Sequence, residues 1–254
     1  MIKYIYAEKD ALRYPAARRV TAVFNNASVI TVDNYKDIFS RPGQSFALQK
    51  EKPAIILAVN RSGFIYRGSY NCQNFGNSNF YYCSCVKNCF YSCDYCYLQG
   101  MYRSGNIVVF VNIEDCFEET RCLMAEYNGR QDVYMCLSYD TDIFAMESVL
   151  GYVKEWNSFA AENAEGGFTA EIRTKSGEVS FFRENQPNDA MIFAWTVAPE
   201  SAVKAFEKRT APLDARLKAA RTAAENGFKV RLCLDPVMIT RLLCIKLPGT
   251  GLRK

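Results

Sequence analysis

Between Phe80 and Leu234, short apolar runs alternate with longer stretches of helical periodicity. This alternation restricts the fold more than any other feature of the chain. The expected strands are Phe80–Cys85, Asn106–Val111, Val133–Leu137, Phe168–Thr174, Asn188–Val197 and Lys229–Leu234. Helices are expected over Ile113–Tyr127, with Asn112 as N-cap and Gly129 as terminator, over Asp142–Trp156, and over Leu213–Asn226, which Gly227 stops. Strands separated by helices build βαβ crossovers and a parallel sheet. The expected fold class is therefore α/β, a partial (β/α)6 barrel that is C-terminally incomplete, with its chemistry at the C-terminal ends of the strands. The alternative is a doubly wound sheet, but the chain carries no G-x-G-x-x-G fingerprint for one.

Residues 1–75 read as a small N-terminal α/β region ahead of the barrel, which spans 76–238. In that first region Tyr4–Tyr6 and Ala27–Val32 are strand candidates. A helical stretch from Asp10 to about Phe24 is interrupted at Pro15. Ala54–Val59 is a buried strand candidate, expected to pair with Phe64–Arg67 as a hairpin across Arg61-Ser62-Gly63. Residues 239–254 form an atypical tail. An apolar-basic run followed by Pro-Gly-Thr-Gly stands where a last helix is expected, and reads as a fragment end or a frame change.

The loop after the first barrel strand reads Asn-Cys-Phe-Tyr-Ser-Cys-Asp-Tyr-Cys-Tyr over Asn88–Tyr97. Cys89, Cys93 and Cys96 have C-x3-C-x2-C spacing, so three thiolates on one short loop can hold three irons of a [4Fe–4S] cluster. A four-iron cluster normally takes four cysteines, and three leave one iron open. A zinc site is the rival reading: structural zinc usually takes four Cys/His ligands, and Cys83 and Cys85 just upstream could complete the set. Those two could equally be alternate residues of a strand or buried thiols. Cys116 and Cys122, six apart on one helix, read as packing residues.

The chain has eleven cysteines and no histidine. In a reducing compartment, that many cysteines favour metal or redox chemistry over a disulfide framework. The lack of histidine excludes Ser-His-Asp catalysis and H-E-x-x-H zinc sites. A net charge of +4 permits nucleic-acid binding without arguing for it. No apolar run reaches membrane-spanning length, and the first ten residues become charged too early for a signal peptide. The expectation is a cytoplasmic protein without membrane contact.

The C-x3-C-x2-C spacing, with Tyr95 just before the last cysteine, resembles the radical-SAM superfamily. Cys89–Gln99, Ile107–Asn112, Ala11–Pro15, Thr141-Asp142-Ile143, Phe206–Ala220 and Gly227–Pro236 resemble one branch of it, the spore photoproduct lyase family. The similarity runs from about residue 4 to 238. It implies a radical-SAM barrel in which S-adenosylmethionine chelates the open iron of a [4Fe–4S] cluster on Cys89, Cys93 and Cys96. It also implies repair of the UV lesion 5-thyminyl-5,6-dihydrothymine in DNA by a carbon–carbon lyase reaction. A 5′-deoxyadenosyl radical takes hydrogen from the lesion, and the electrons come from a low-potential donor such as flavodoxin or ferredoxin.

Carried over by position, Tyr95 and Tyr97 match tyrosines near the S-adenosylmethionine site that are linked to hydrogen relay, and Lys175 matches a cofactor-contacting lysine. The rival readings give Tyr95 and Tyr97 a pocket-shaping role and make Lys175 an exposed strand-end residue. The sequence departs from the family at the hydrogen donor, where the family cysteine aligns with Tyr139. Cys136 lies three residues earlier, and on a regular strand an odd offset points to the opposite face. The alternatives are a related radical-SAM enzyme with another, unknown substrate, and a non-enzymatic metal-binding module or a truncated, inactive product.

Overall fold

The structure, a computed structural model, describes residues 2–69, 71–127 and 132–237. The expected helix terminator Gly129 and the tail 239–254 lie outside the described residues. In chain order the strands are β1 (Tyr4–Glu8), β2 (Ser28–Val32), β3 (Ile55–Ala58), β4 (Ile65–Arg67), β5 (Phe80–Cys83), β6 (Val86–Lys87) and β7 (Ser92–Cys93). They continue with β8 (Ile107–Phe110), β9 (Val133–Cys136), β10 (Phe168–Thr174), β11 (Met191–Thr196), β12 (Glu207–Lys208) and β13 (Lys229–Cys233).

Two larger sheets organise the fold. The first has the order β2-β1-β3-β8-β6 and is parallel except for β6. The second has the order β13-β11-β10-β9-β5-β4 and is parallel except for β4. Strands from either side of residue 75 share each sheet. The β3 and β8 runs are buried along their whole length, as parallel strands covered on both faces require. A single apolar cluster spans both sheets, from Ile5, Leu57 and Val109 to Met135, Ile172 and Phe193. Burying each of these larger side chains stabilises the fold by about 1.5–3 kcal/mol.

Several expectations change. Ile55–Ala58 does not form a hairpin with the 64–67 segment. Both of its edges are taken, by β1 and β8, so Ile65–Arg67 pairs antiparallel with Phe80–Cys83 instead. Ile107–Phe110 is not the second strand of the sheet that starts at Phe80 but a member of the other sheet. The Phe80–Cys85 run stops at Cys83, where the chain crosses to the first sheet and re-enters as β6. Pro15 begins a helix, Pro15–Val23, rather than interrupting one, because a first-turn position needs no N–H. The stretch from Asp142 to Trp156 is broken at Gly151, whose φ of 70° lies in the left-handed region. A 3-10 turn and the short helix Glu147–Leu150 precede the break, and the helix Tyr152–Asn163 follows it. No helix among the described residues is long and apolar enough to cross a membrane.

Candidate active site

Parallel strands place their C-terminal ends along one rim. Cys136 ends β9, Thr174 ends β10, Thr196 ends β11, and Asp235 follows β13. All four line one cavity of about 510 Å³, a size suited to a small-molecule cofactor. The loop after β5 closes its other side with Cys89, Cys93 and Cys96. The rim position at strand C-termini is the one expected for a parallel α/β fold.

The cysteine loop is held from several directions. Asn88, fully buried with a φ of 71°, donates from Nδ2 to the carbonyls of Ser104 (2.6 Å) and Asn106 (2.9 Å). The strand β7 pairs antiparallel with β12, opposing Cys93 to Glu207. Cys89 and Cys93 are buried and Cys96 is half-buried. Burial pushes the Cys89 thiol up to about 12, and the Asp142 charge adds to the shift. It pushes Cys93 up to about 11, while Lys175 pulls the other way.

The residues present fit an iron–sulfur cluster better than a lone zinc ion. A tetrahedral zinc with bonds of about 2.3 Å brings its sulfurs to within ~4 Å of one another. Among the described residues, the trio with all ligand atoms within 4.8 Å of one another is Cys83, Cys85 and Cys116, not the three loop cysteines. The zinc reading that joins Cys83 and Cys85 to the loop is thus unsupported, since neither lines the cavity. Lys50 carries the second indication. It lies in the helix Phe46–Glu51, is buried, and donates to the Cys89 carbonyl. Among the described residues no carboxylate pairs with it, and burial lowers its pKa while Cys89, Cys96 and Cys93 oppose the fall. A buried ammonium needs a counter-charge. A cluster bound through three thiolates would supply a negative one at this place.

Tyr95 and Lys175 share a corner of the cavity. The Lys175 ammonium sits 5.8 Å from the Tyr95 ring centroid, within cation–π range. The Tyr95 hydroxyl donates to Glu207 Oε1. Burial raises the Tyr95 pKa, and the Glu207 bond raises it further. Glu207 Oε2 pairs with Arg216 Nη2 at 2.5 Å, both side chains fully buried. Arg216 also donates to the carbonyls of Ala211 (2.8 Å) and Thr196 (3.0 Å). Glu207 and Arg216 were not singled out from the sequence, although both lie in the Phe206–Ala220 segment. A charged pair at nine-residue spacing across a turn was the available signal.

Asp142 ties the strand ends together. It is buried, caps the 3-10 turn through the Ala145 N–H (3.1 Å), and accepts from Thr174 Oγ1 (2.8 Å) and the Lys175 N–H (2.7 Å). This fixes the backbone that presents Lys175.

Tyr97, Tyr139, Cys136 and a residue missed from the sequence, Cys72, line a further wall. Tyr97 is about half exposed and donates its hydroxyl to the Tyr139 carbonyl. The Tyr139 ring stacks on Tyr82 at 4.0 Å, and its hydroxyl lies 3.9 Å from the Cys72 sulfur. The Ser69 hydroxyl, 3.4 Å from that sulfur, holds the Cys72 thiol below its ordinary range. Strand alternation placed Cys136 and Tyr139 on opposite faces. In the structure both reach the cavity, because β9 ends at Cys136 and the chain bends beyond it. Cys136 is buried, and its thiol is pushed up to about 12 by burial and then by the Glu171 charge. The signal for Cys72 was its place in the Cys-Gln-Asn-Phe-Gly loop ahead of β5, which local pattern alone does not bring to the site.

Comparison with known proteins is consistent with this geometry. A family model described as spore photoproduct lyase matches residues 1–242. Spore photoproduct lyase of Bacillus subtilis (strain 168) is 23% identical over 242 residues, covering 92% of this chain and 67% of that protein. The Clostridium acetobutylicum protein of the same name is 22% identical over 243 residues, covering 94% and 69%. A spore photoproduct lyase structure complexed with dinucleoside spore photoproduct superposes with a TM-score of 0.80 at 21% identity, covering 94% of this chain and 68% of that one. A variant structure with bound AdoMet and the dinucleoside gives 0.75 at 22% identity, covering 93% and 68%. The chain thus spans about two thirds of the length of these relatives, and with the family model matching nearly all of it, it belongs to the spore photoproduct lyase family.

Proposed function

We propose that this chain is a radical-SAM carbon–carbon lyase that repairs 5-thyminyl-5,6-dihydrothymine in DNA. Its cofactors are a [4Fe–4S] cluster and S-adenosylmethionine. The fold is read as a partial β/α barrel, the protein as cytoplasmic, and its electron source as a low-potential flavodoxin or ferredoxin. The observation that carries the reading is the single cavity in which Cys89, Cys93 and Cys96 face Lys175, Tyr95 and two further cysteines.

When bound, the cofactors supply a 5′-deoxyadenosyl radical that removes hydrogen from the lesion. The chain's own residues do the rest. Cys89, Cys93 and Cys96 would hold three irons of the cluster. Lys175, its backbone fixed by Asp142, offers a cation for the cofactor carboxylate, and Tyr95 is held by Glu207 as a wall of the pocket. Cys72 lies at the cavity wall with its sulfur next to the Tyr139 hydroxyl, so it can give a hydrogen atom to a product radical. In this reading Cys72 takes the donor role, Tyr139 and Tyr97 stand behind it, and Cys136 is the alternative donor.

The test is anaerobic reconstitution followed by incubation with a lesion-containing dinucleotide under a strong reductant. About four irons per chain, 5′-deoxyadenosine formation and thymine release support the lyase. A second reading, a related radical-SAM enzyme with another substrate, is favoured by the tyrosine at the family's donor position. Deoxyadenosine formation without thymine release would select it. A colourless protein carrying zinc would defeat both.

A further inference from the structure

Outside the cavity lies a second group of sulfurs that the proposed reaction does not use. Cys83 ends β5, Cys85 follows it as the chain crosses between sheets, and Cys116 lies in the first turn of the helix Ile113–Tyr127. The Cys83 and Cys85 sulfurs are 3.1 Å apart, those of Cys83 and Cys116 3.3 Å, and those of Cys85 and Cys116 3.7 Å. These separations are too long for a disulfide, whose bond is about 2.03–2.05 Å. The two shorter ones lie inside even the carbon–carbon contact range of about 3.5–4.0 Å, although sulfur is the larger atom. All three residues are buried, at 2%, 2% and 0% exposure.

Two features of the surroundings would support a metal-bound sulfur, against the burial that pushes the Cys83 and Cys116 thiols up. The Trp156 indole is fully buried, and among the described residues its Nε1 has no hydrogen-bond partner. That N–H lies close to the Cys85 sulfur. An N–H placed beside a metal-bound sulfur can give it the outer support that tunes metal–thiolate sites. Cys116 adds the positive end of its helix.

Among the described residues no fourth ligand stands ready. The chain has no histidine. The Glu119 carboxylate oxygens are engaged by the Phe64 N–H (2.7 Å) and the Ile65 N–H (3.0 Å). Soft thiolate sets suit Cu(I), zinc and iron–sulfur clusters; structural zinc takes four ligands and a four-iron cluster normally four cysteines, so a set of three sulfurs best suits Cu(I). We propose that Cys83, Cys85 and Cys116 form a second, all-sulfur site for one soft monovalent cation of the Cu(I) type, separate from the Cys89–Cys96 loop. Metal–sulfur bonds near 2.3 Å place the sulfurs ~3.8–4.0 Å apart, so to admit the ion Cys83 moves away from the other two sulfurs by roughly 0.5–0.9 Å while the Cys85–Cys116 pair barely opens. Binding releases thiol protons, leaves the metal oxidation state unchanged, and needs no oxidant.

The experiment uses the anaerobically reconstituted protein, with iron on the loop cysteines, exposed to Cu(I) buffered by bicinchoninate. The expected result is one retained copper per chain, near-ultraviolet thiolate-to-copper absorption, and unchanged iron content. Cys85→Ala and Cys116→Ala should each weaken copper retention by at least about a hundredfold while keeping iron. Cys122→Ala, at an exposed position of the same helix, should change nothing. Copper retained equally by the Cys85→Ala and Cys116→Ala variants, no copper in the unsubstituted protein, Zn(II) held as tightly, or a disulfide formed within the trio would each overturn the proposal. Because a core substitution can unfold the chain, copper-edge X-ray absorption on the unsubstituted protein gives an independent answer. Sulfur-only coordination by two or three atoms supports the site, and nitrogen or oxygen neighbours refute it.

Discussion

The Tyr95 hydroxyl donates to Glu207, a residue 112 positions further along the chain. Glu207 is itself locked to the fully buried Arg216. A tyrosine of the cysteine loop is therefore held by an ion pair from a distant part of the chain, through β12, which pairs with the loop strand β7. Replacing Glu207 by Ala leaves the Arg216 charge buried without a partner, a change that costs about 3–5 kcal/mol. The expected outcome is a large fall in melting temperature, with Glu207→Gln milder. A melting temperature unchanged in Glu207→Ala would show that the pair contributes little.

Lys50 is expected to act on the cluster through its charge. Lys50→Met removes the buried cation beside the three cysteines, so the cluster becomes harder to reduce and its midpoint potential more negative, by roughly tens of millivolts. Lys50→Arg should restore most of the difference. Potentiometry followed by electron paramagnetic resonance reads the shift, and equal potentials for Lys50→Met and the parent would defeat the idea.

Cys72 and Cys136 can be separated by substitution. Cys72→Ala should lower thymine release about tenfold or more, equivalent to at least about 1.4 kcal/mol, while 5′-deoxyadenosine still forms. Cys136→Ala, which removes a buried thiol that shares the wall with Tyr139, should have the smaller effect. If Cys136→Ala abolishes thymine release and Cys72→Ala does not, the donor assignment moves to Cys136.

The metal-free protein should weaken at alkaline pH. Cys93 is raised to about 11, and Cys89 and Cys136 to about 12, from an ordinary thiol value of 9.0. A group whose pKa is higher folded than unfolded stabilises the fold fully below its unfolded value and loses that contribution as pH rises towards the folded one. Stability should therefore fall from about pH 9 towards pH 11–12, by at most about 1.4 kcal/mol per pH unit for each thiol. Loading the cluster occupies Cys89 and Cys93 and should flatten the profile. Melting curves against pH, with and without iron, test this directly, and a flat profile in the metal-free protein would contradict it.

Much was legible from the chain alone because the information is local. The C-x3-C-x2-C spacing needs no tertiary contact to be recognised, and the apolar runs at Ile107–Phe110, Phe168–Thr174 and Met191–Thr196 declare themselves as strands by composition. Which strand pairs with which was not legible. Ile55–Ala58 and Ile107–Phe110 look like any other buried parallel strands, and their partners are chosen by which edges remain free once the shared core has packed. The alternation argument for Cys136 and Tyr139 failed for a related reason. Periodicity holds only while the strand lasts, and the strand ends at Cys136.

By itself, the sequence determined the type of chemistry available: three loop thiols, no histidine, and strands whose C-terminal ends carry polar residues such as Thr174 and Lys175. Only the tertiary structure decided which distant side chains join them. Lys50, Cys72, Glu207 and Arg216 lie far apart in the chain, and they meet around the cysteine loop because buried charges and polar groups must find partners wherever the packed core leaves them. The same packing gathered Cys83, Cys85 and Cys116 into a second sulfur cluster, which no spacing rule marks because Cys116 arrives from a helix on another part of the chain.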